Sequence, residues 1–146
     1  MGYYSDVALC LTKNGMVQLK IALAEAERNK PDSFAAIKIL IGDEPNRTDE
    51  RPGAVGFLWE GERWYDEFDE IAFVGKLMDN LPHEDFLFIR LGEDYDDITI
   101  RGNFCGRKSA ETHCDLLVNI FSVRVRTAMF YSIHHFSKNY VASSSF

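Results

Sequence analysis

From Met16 to Asn29 the chain sets Met16, Leu19, Leu23 and Ala26 on one helical face and Gln18, Lys20, Glu25 and Arg28 elsewhere, and Pro31 ends the run. An amphipathic helix has to lay its apolar stripe on another element, so this segment commits the chain to a layered fold. Thr12 is placed to cap the helix. Ahead of it, Tyr3 to Thr12 carries Tyr3, Tyr4, Val7, Leu9 and Leu11 in partial alternation, and Asn14-Gly15 punctuates the junction, which predicts a first strand.

Beyond Pro31, Asp32 and Ser33 can cap a second, shorter helix through Phe34, Ile37, Leu40 and Ile41, ended by Gly42; its apolar content also suits a strand. Asp43 to Gly53 is too polar and too rich in breakers for regular structure and reads as an exposed loop. Val55 to Tyr65, with Phe57, Trp59, Trp64 and Tyr65, has aromatic strand character. Asp66 or Asp69 then caps a helix to about Leu81 that buries Ile71, Val74, Leu77, Met78 and Leu81, and Pro82 follows. Phe86 to Leu91 and Ile98 to Arg101 flank the polar connection 92–97 as a hairpin. The predicted class is α+β: a single mixed or antiparallel sheet in the order β-α-(α)-β-α-β-β, with helices packed on one face.

Residues 1–104 make that domain, and residues 105–146 a C-terminal extension of different character. Ser109 can cap a helix through Leu116, Leu117, Ile120 and Phe121, and Ser122 to Thr127 alternates like a strand. Residues 1–115 hold all 23 acids and 13 of the 16 bases, whereas 116–146 hold Arg124, Arg126 and Lys138 and no acid. The extension is expected either to dock on the domain or to mediate self-association.

The net charge of −7 is concentrated as −10 in the first 115 residues, and a surface of that sign repels phosphate backbones, so direct nucleic-acid binding is not expected. Such a surface meets a basic protein instead, or simply keeps the chain soluble. Cys10, Cys105 and Cys114 are odd in number and irregularly spaced, which fits reduced thiols rather than a disulfide framework. With no apolar run approaching a membrane span and no basic leader at the N-terminus, a cytoplasmic location without membrane contact is expected.

No catalytic signature emerges. Glu93, Asp94, Asp96 and Asp97 offer oxygen ligands, but the Gly and Glu that an EF-hand loop requires at its sixth and twelfth positions are Thr99 and Cys105 here. Gly102 to Ser109 narrowly misses the phosphate-binding pattern GxxxxGK[ST], because Arg107 stands where the second glycine lets backbone N–H groups approach phosphate. His113, Cys114 and Cys105 lack the paired spacing of a zinc site. His83, between Pro82 and Glu84-Asp85, reads as part of a helix-to-strand turn. No cofactor and no metal are therefore expected. The features that remain suit protein binding: the acidic hairpin tip of Glu93, Asp94, Tyr95, Asp96 and Asp97, and the aromatic stretch around Trp64 with Glu60 and Glu62. A second reading is a small enzyme or ligand-binding domain that uses the Cys105 to Cys114 region.

The opening Met1-Gly2-Tyr3-Tyr4-Ser5-Asp6-Val7-Ala8-Leu9, Trp64-Tyr65 with the helix after it, and Phe86-Leu87-Phe88-Ile89-Arg90-Leu91-Gly92-Glu93-Asp94-Tyr95-Asp96-Asp97 resemble a family of small phage- and prophage-encoded proteins of unassigned function. The resemblance covers about residues 1–104 and stops where the charge pattern breaks, which would also fit an unrelated or frameshifted extension. It implies a mobile-element setting in a bacterial cell and carries over no catalytic residue. The expectation is a non-enzymatic accessory protein whose acidic surface binds a basic host or phage protein, such as one that handles nucleic acid or serves defence. The oligomeric state is left open.

Overall fold

The computed structural model describes residues 2–43, 47–48, 55–94 and 96–103. Strand β1 (Ser5–Leu11) is followed by helices α1 (Lys13–Asn29) and α2 (Pro31–Ile41), strands β2 (Arg47–Thr48) and β3 (Val55–Glu62), helix α3 (Asp69–Asp79), a short 3-10 turn (His83–Asp85), and strands β4 (Phe86–Leu91) and β5 (Ile98–Gly102). The strands form one sheet in the order β2-β3-β1-β4-β5, and every neighbouring pair is antiparallel. The α+β class, the element order and the helices packed on one face are as the sequence predicts, and the sheet is antiparallel rather than mixed. The C-terminal extension, with its expected helix and strand, lies outside the described residues.

Alternation along the central strand separates the two faces of the sheet. Val7, Leu9 and Leu11 point to the helices, where they meet Phe57 and Trp59 of β3 and Phe86 and Phe88 of β4. The helices close this core with Leu19 and Ala26 from α1, Ile37 and Ile41 from α2, and Val74, Leu77 and Met78 from α3. Phe57 and Trp59 stack with centroids 5.7 Å apart, and the Trp59 indole N–H donates to the Leu40 carbonyl at 2.9 Å, which ties the end of α2 to the sheet. A buried indole without that acceptor would forfeit a hydrogen bond to water.

Local chemistry sets the element ends. The Thr12 hydroxyl accepts from the Gly15 N–H at 3.1 Å, the expected cap of α1, and donates to Asp85 Oδ1 at 2.9 Å. The turn containing His83 is thereby pinned to the start of α1. The expected caps of the other two helices are not used. Helix α2 starts at Pro31, whose fixed φ suits a first helical position, and Ser33 instead donates to Asp69 Oδ2 at 2.7 Å across to α3. Helix α3 starts after Phe68, and Asp69 sits in its first turn, where its charge favours the helix dipole. The segment 43–53 is not wholly irregular, since Arg47–Thr48 adds a two-residue edge strand to β3. Gly102 ends β5 at φ 84°, and a Cβ there would run into the Phe86 carbonyl, so only glycine fits.

Leu9 is fully buried at the centre of this core. Leu9→Ala is expected to lower unfolding stability by about 2–5 kcal/mol, read from urea titrations with an unchanged m-value. A loss below about 1 kcal/mol would mean that the core collapses around the cavity.

Candidate functional site

The antiparallel register brings the C-terminal ends of β3 and β4 and the N-terminal end of β1 to one end of the sheet: Ser5 pairs with Glu62, and Asp6 pairs with Leu91. Residues far apart in sequence therefore meet. Glu60 and Glu62 from β3 share this end with the β4–β5 connection that carries Glu93, Asp94, Asp96 and Asp97, and all but Asp97 are exposed. Tyr95 lies outside the described residues. The two acidic stretches singled out from the sequence thus lie at the same end of the sheet, on the two sides of β1.

That surface has an ordered foundation. Arg90 on β4 makes a two-pronged ion pair with Asp97, Nη2 to Oδ1 at 2.6 Å and Nη1 to Oδ2 at 3.1 Å, and the same guanidinium reaches the Ser5 hydroxyl at 3.1 Å and the Thr99 hydroxyl at 3.2 Å. The Tyr3 hydroxyl donates to Asp97 Oδ2 at 2.8 Å and accepts the Asp94 N–H at 3.1 Å. Glu93 Oε1 accepts the Tyr4 N–H at 2.9 Å, and the Tyr65 hydroxyl accepts the Tyr3 N–H at 2.6 Å. Gly92 lies under this cluster, where a Cβ would collide with the Asp97 carboxylate and the Tyr3 hydroxyl.

The hairpin expected to leave four carboxylates in solvent therefore employs two of them. Asp97 is half-buried and neutralises Arg90, while Glu93 holds the N-terminal segment. Repulsion at the tip is relieved by this use, and Asp94 and Asp96 remain as its outward charges. Trp64 is half-buried rather than displayed: its ring packs on Trp59 at 5.2 Å and Phe88 at 5.9 Å, so it serves as a wall of the core. Tyr65 and Phe68 meet edge to face at 5.4 Å nearby, and the Arg63 guanidinium lies over the Tyr4 ring at 5.6 Å.

Arg90, Tyr3, Ser5 and Thr99 carry this arrangement and were not among the residues singled out from the sequence. The available signal was Arg90 itself, one charge in the apolar run Phe86–Leu91, because a guanidinium on a covered strand requires a carboxylate within reach.

A groove of about 430 Å3 lies between the helices, bordered by Glu25, Lys30, Ser33, Asp69, Lys76 and Asn80. Its one hydroxyl that could attack a substrate, that of Ser33, is held by Asp69 with no imidazole among the lining residues. Among the described residues no three His, Cys, Asp or Glu side chains converge as a metal site. His83 is exposed in its turn, edge-on to Phe86 at 5.9 Å. Cys105, His113 and Cys114, on which the enzymatic reading depends, lie outside the described residues.

The fold defines an antiparallel α+β protein with an acidic strand end. Comparison of the chain with family models, curated proteins and solved structures finds no match in any of the three.

The ion pair predicts a pH signature. Arg90 first, and then the Tyr3 hydroxyl, hold the Asp97 carboxyl below its ordinary value of 3.8, against the opposing effect of burial. The Asp94 N–H works to lower the Tyr3 phenol, but burial, the bond to Asp97 and the charges of Asp94 and Asp97 outweigh it and raise the phenol above 10.0, so Tyr3 stays neutral as a donor. A depressed carboxyl contributes stability at pH above its unfolded value, lost as pH falls through the folded one. Asp97→Asn is expected to lower the melting temperature by several degrees at pH 7, with the gap to the parent closing as pH falls below about 3.8. An equal gap at pH 7 and pH 2 would show that the charge contributes nothing.

Proposed function

We propose that this protein is a non-enzymatic accessory protein of phage type that binds a basic host or phage protein through the acidic end of its sheet. The observation that supports the reading is that the register sets Glu60 and Glu62 of β3 at the same end of the sheet as Glu93, Asp94 and Asp96, whose connection is held by the Arg90, Asp97 and Tyr3 network. A flexible acidic loop would lose conformational freedom on docking, whereas charges on a fixed sheet end are already placed. Complementary charge mainly speeds association and selects the partner, so binding of this kind weakens with salt. A partner that handles nucleic acid suits the site, because its basic groove is shaped for an array of negative charge.

The second reading, an enzyme or ligand-binding domain around Cys105 to Cys114, draws no support from the described residues. No membrane partner is proposed, and among the described residues no helix is long and apolar enough to cross a bilayer.

The test separates the patch from net charge. One variant carries Glu60→Gln, Glu62→Gln, Asp94→Asn and Asp96→Asn; a control loses the same charge through Glu25→Gln, Glu27→Gln, Asp32→Asn and Glu84→Gln, which lie on the helices and in the turn before β4. In pull-downs from bacterial lysate at low salt, parent and control should capture the same basic proteins and release them as salt rises. The patch variant should keep the parent's melting temperature and lose capture by about tenfold or more. Equal capture by the patch variant at low and high salt overturns the proposal.

A further inference from the structure

We propose that residues 104–146 of this chain cover the face of the sheet opposite the helices, so that the sheet lies between two layers. Along β1, β4 and β5 the second face carries Ala8, Leu87, Ile89, Leu91, Ile98 and Ile100, which the register sets side by side: Ala8 pairs with Ile89, Ile89 with Ile100, and Leu91 with Ile98. The buried apolar residues of α1, α2 and α3 that join the core cluster meet the other face, and none of these six belongs to that cluster. Even so, Ala8 is 1% exposed, Leu87 9%, Ile89 3% and Leu91 3%. Large aliphatic side chains standing out from a sheet do not reach such values through their strand neighbours, since side chains project perpendicular to the sheet and require a layer above them. These side chains therefore call for a covering layer.

Position, length and charge favour the C-terminal segment. It leaves the sheet from Gly102 at the end of edge strand β5, directly beside Ile98 and Ile100, and it contains 43 residues. Five strands span about 19 Å at their usual spacing, and about 13 helical residues cross that width. The pattern Leu116, Leu117, Ile120 and Phe121 predicts a helix with an apolar face wide enough to meet the aliphatic layer. Arg107, Lys108, Arg124, Arg126 and Lys138 against Glu111 and Asp115 leave the segment at +3, whereas residues 1–103 hold 11 bases and 21 acids. The segment is thus drawn to the domain, while a second copy, at −7 against −7, would meet net repulsion.

The test keeps the full chain intact. Ile100, 41% exposed at the rim of this face, is replaced by p-benzoylphenylalanine, and the irradiated protein is digested and mapped by mass spectrometry. Crosslinks of monomer mass into residues 104–146 are expected, and they should be lost when Leu117→Asp and Phe121→Asp are added. If the probe at Ile100 unfolds the chain, as judged by circular dichroism, the same probe at Ile98 gives the readout. A covalent dimer, which marks a second copy as the cover, overturns the proposal. Crosslinks only to other parts of the chain, or no crosslink in the folded protein, overturn it as well; the latter would mark the segment as an appended extension.

Discussion

Strand β1 is hydrogen-bonded along both edges, to β3 and to β4, and its residues Val7 to Leu11 are buried on both faces, none more than 2% exposed. A strand in that position cannot be satisfied by one layer of helices. Its odd-numbered side chains make the core with α1, α2 and α3, and its even-numbered ones demand a second cover. The other described elements are arranged about this strand: β3 and β4 pair with it in register, α1 starts after the single residue Thr12, and the acidic end of the sheet is assembled around its first residues.

The acidic end shows how a fold can hold like charges together. Asp97 sits against Arg90 and Tyr3, and Glu93 caps the Tyr4 N–H, so the residues that would most strain a hairpin become its anchors. Glu60, Glu62, Glu93, Asp94 and Asp96 face solvent, and the connection that carries the last three is fixed by Gly92 beneath the Asp97 carboxylate. Fixed placement of the charges on the 92–97 connection is what the proposed encounter with a basic protein would draw on.

Much of this was legible from local pattern. The helical spacing of Met16 to Asn29, the Thr12 cap and the hairpin between Phe86 and Arg101 follow from periodicity and turn chemistry, which act over a few residues. The choice of helix over strand for Pro31–Ile41 did not, because its packing on α3 and the Trp59 bond to Leu40 are tertiary. The edge strand Arg47–Thr48 had no signal either, since two residues gain their pairing only from β3. At the site, the acids could be named from sequence but their common placement could not: Glu62 and Glu93 come to the same end of the sheet only through the register of β1 with both neighbours. Trp64 was expected at a binding surface, and contacts with Trp59 and Phe88 place it against the core.

The requirement for cover on both faces of β1 is tested most directly at Cys10, a reduced thiol 2% exposed on the even-numbered side of that strand. In the full chain carrying Cys105→Ser and Cys114→Ser, alkylation of Cys10 is measured across a urea series. Reaction that stays negligible in native buffer and rises only with global unfolding is the predicted result. Alkylation in native buffer at the rate of the unfolded chain would contradict the account, because the second face would then stand open to solvent.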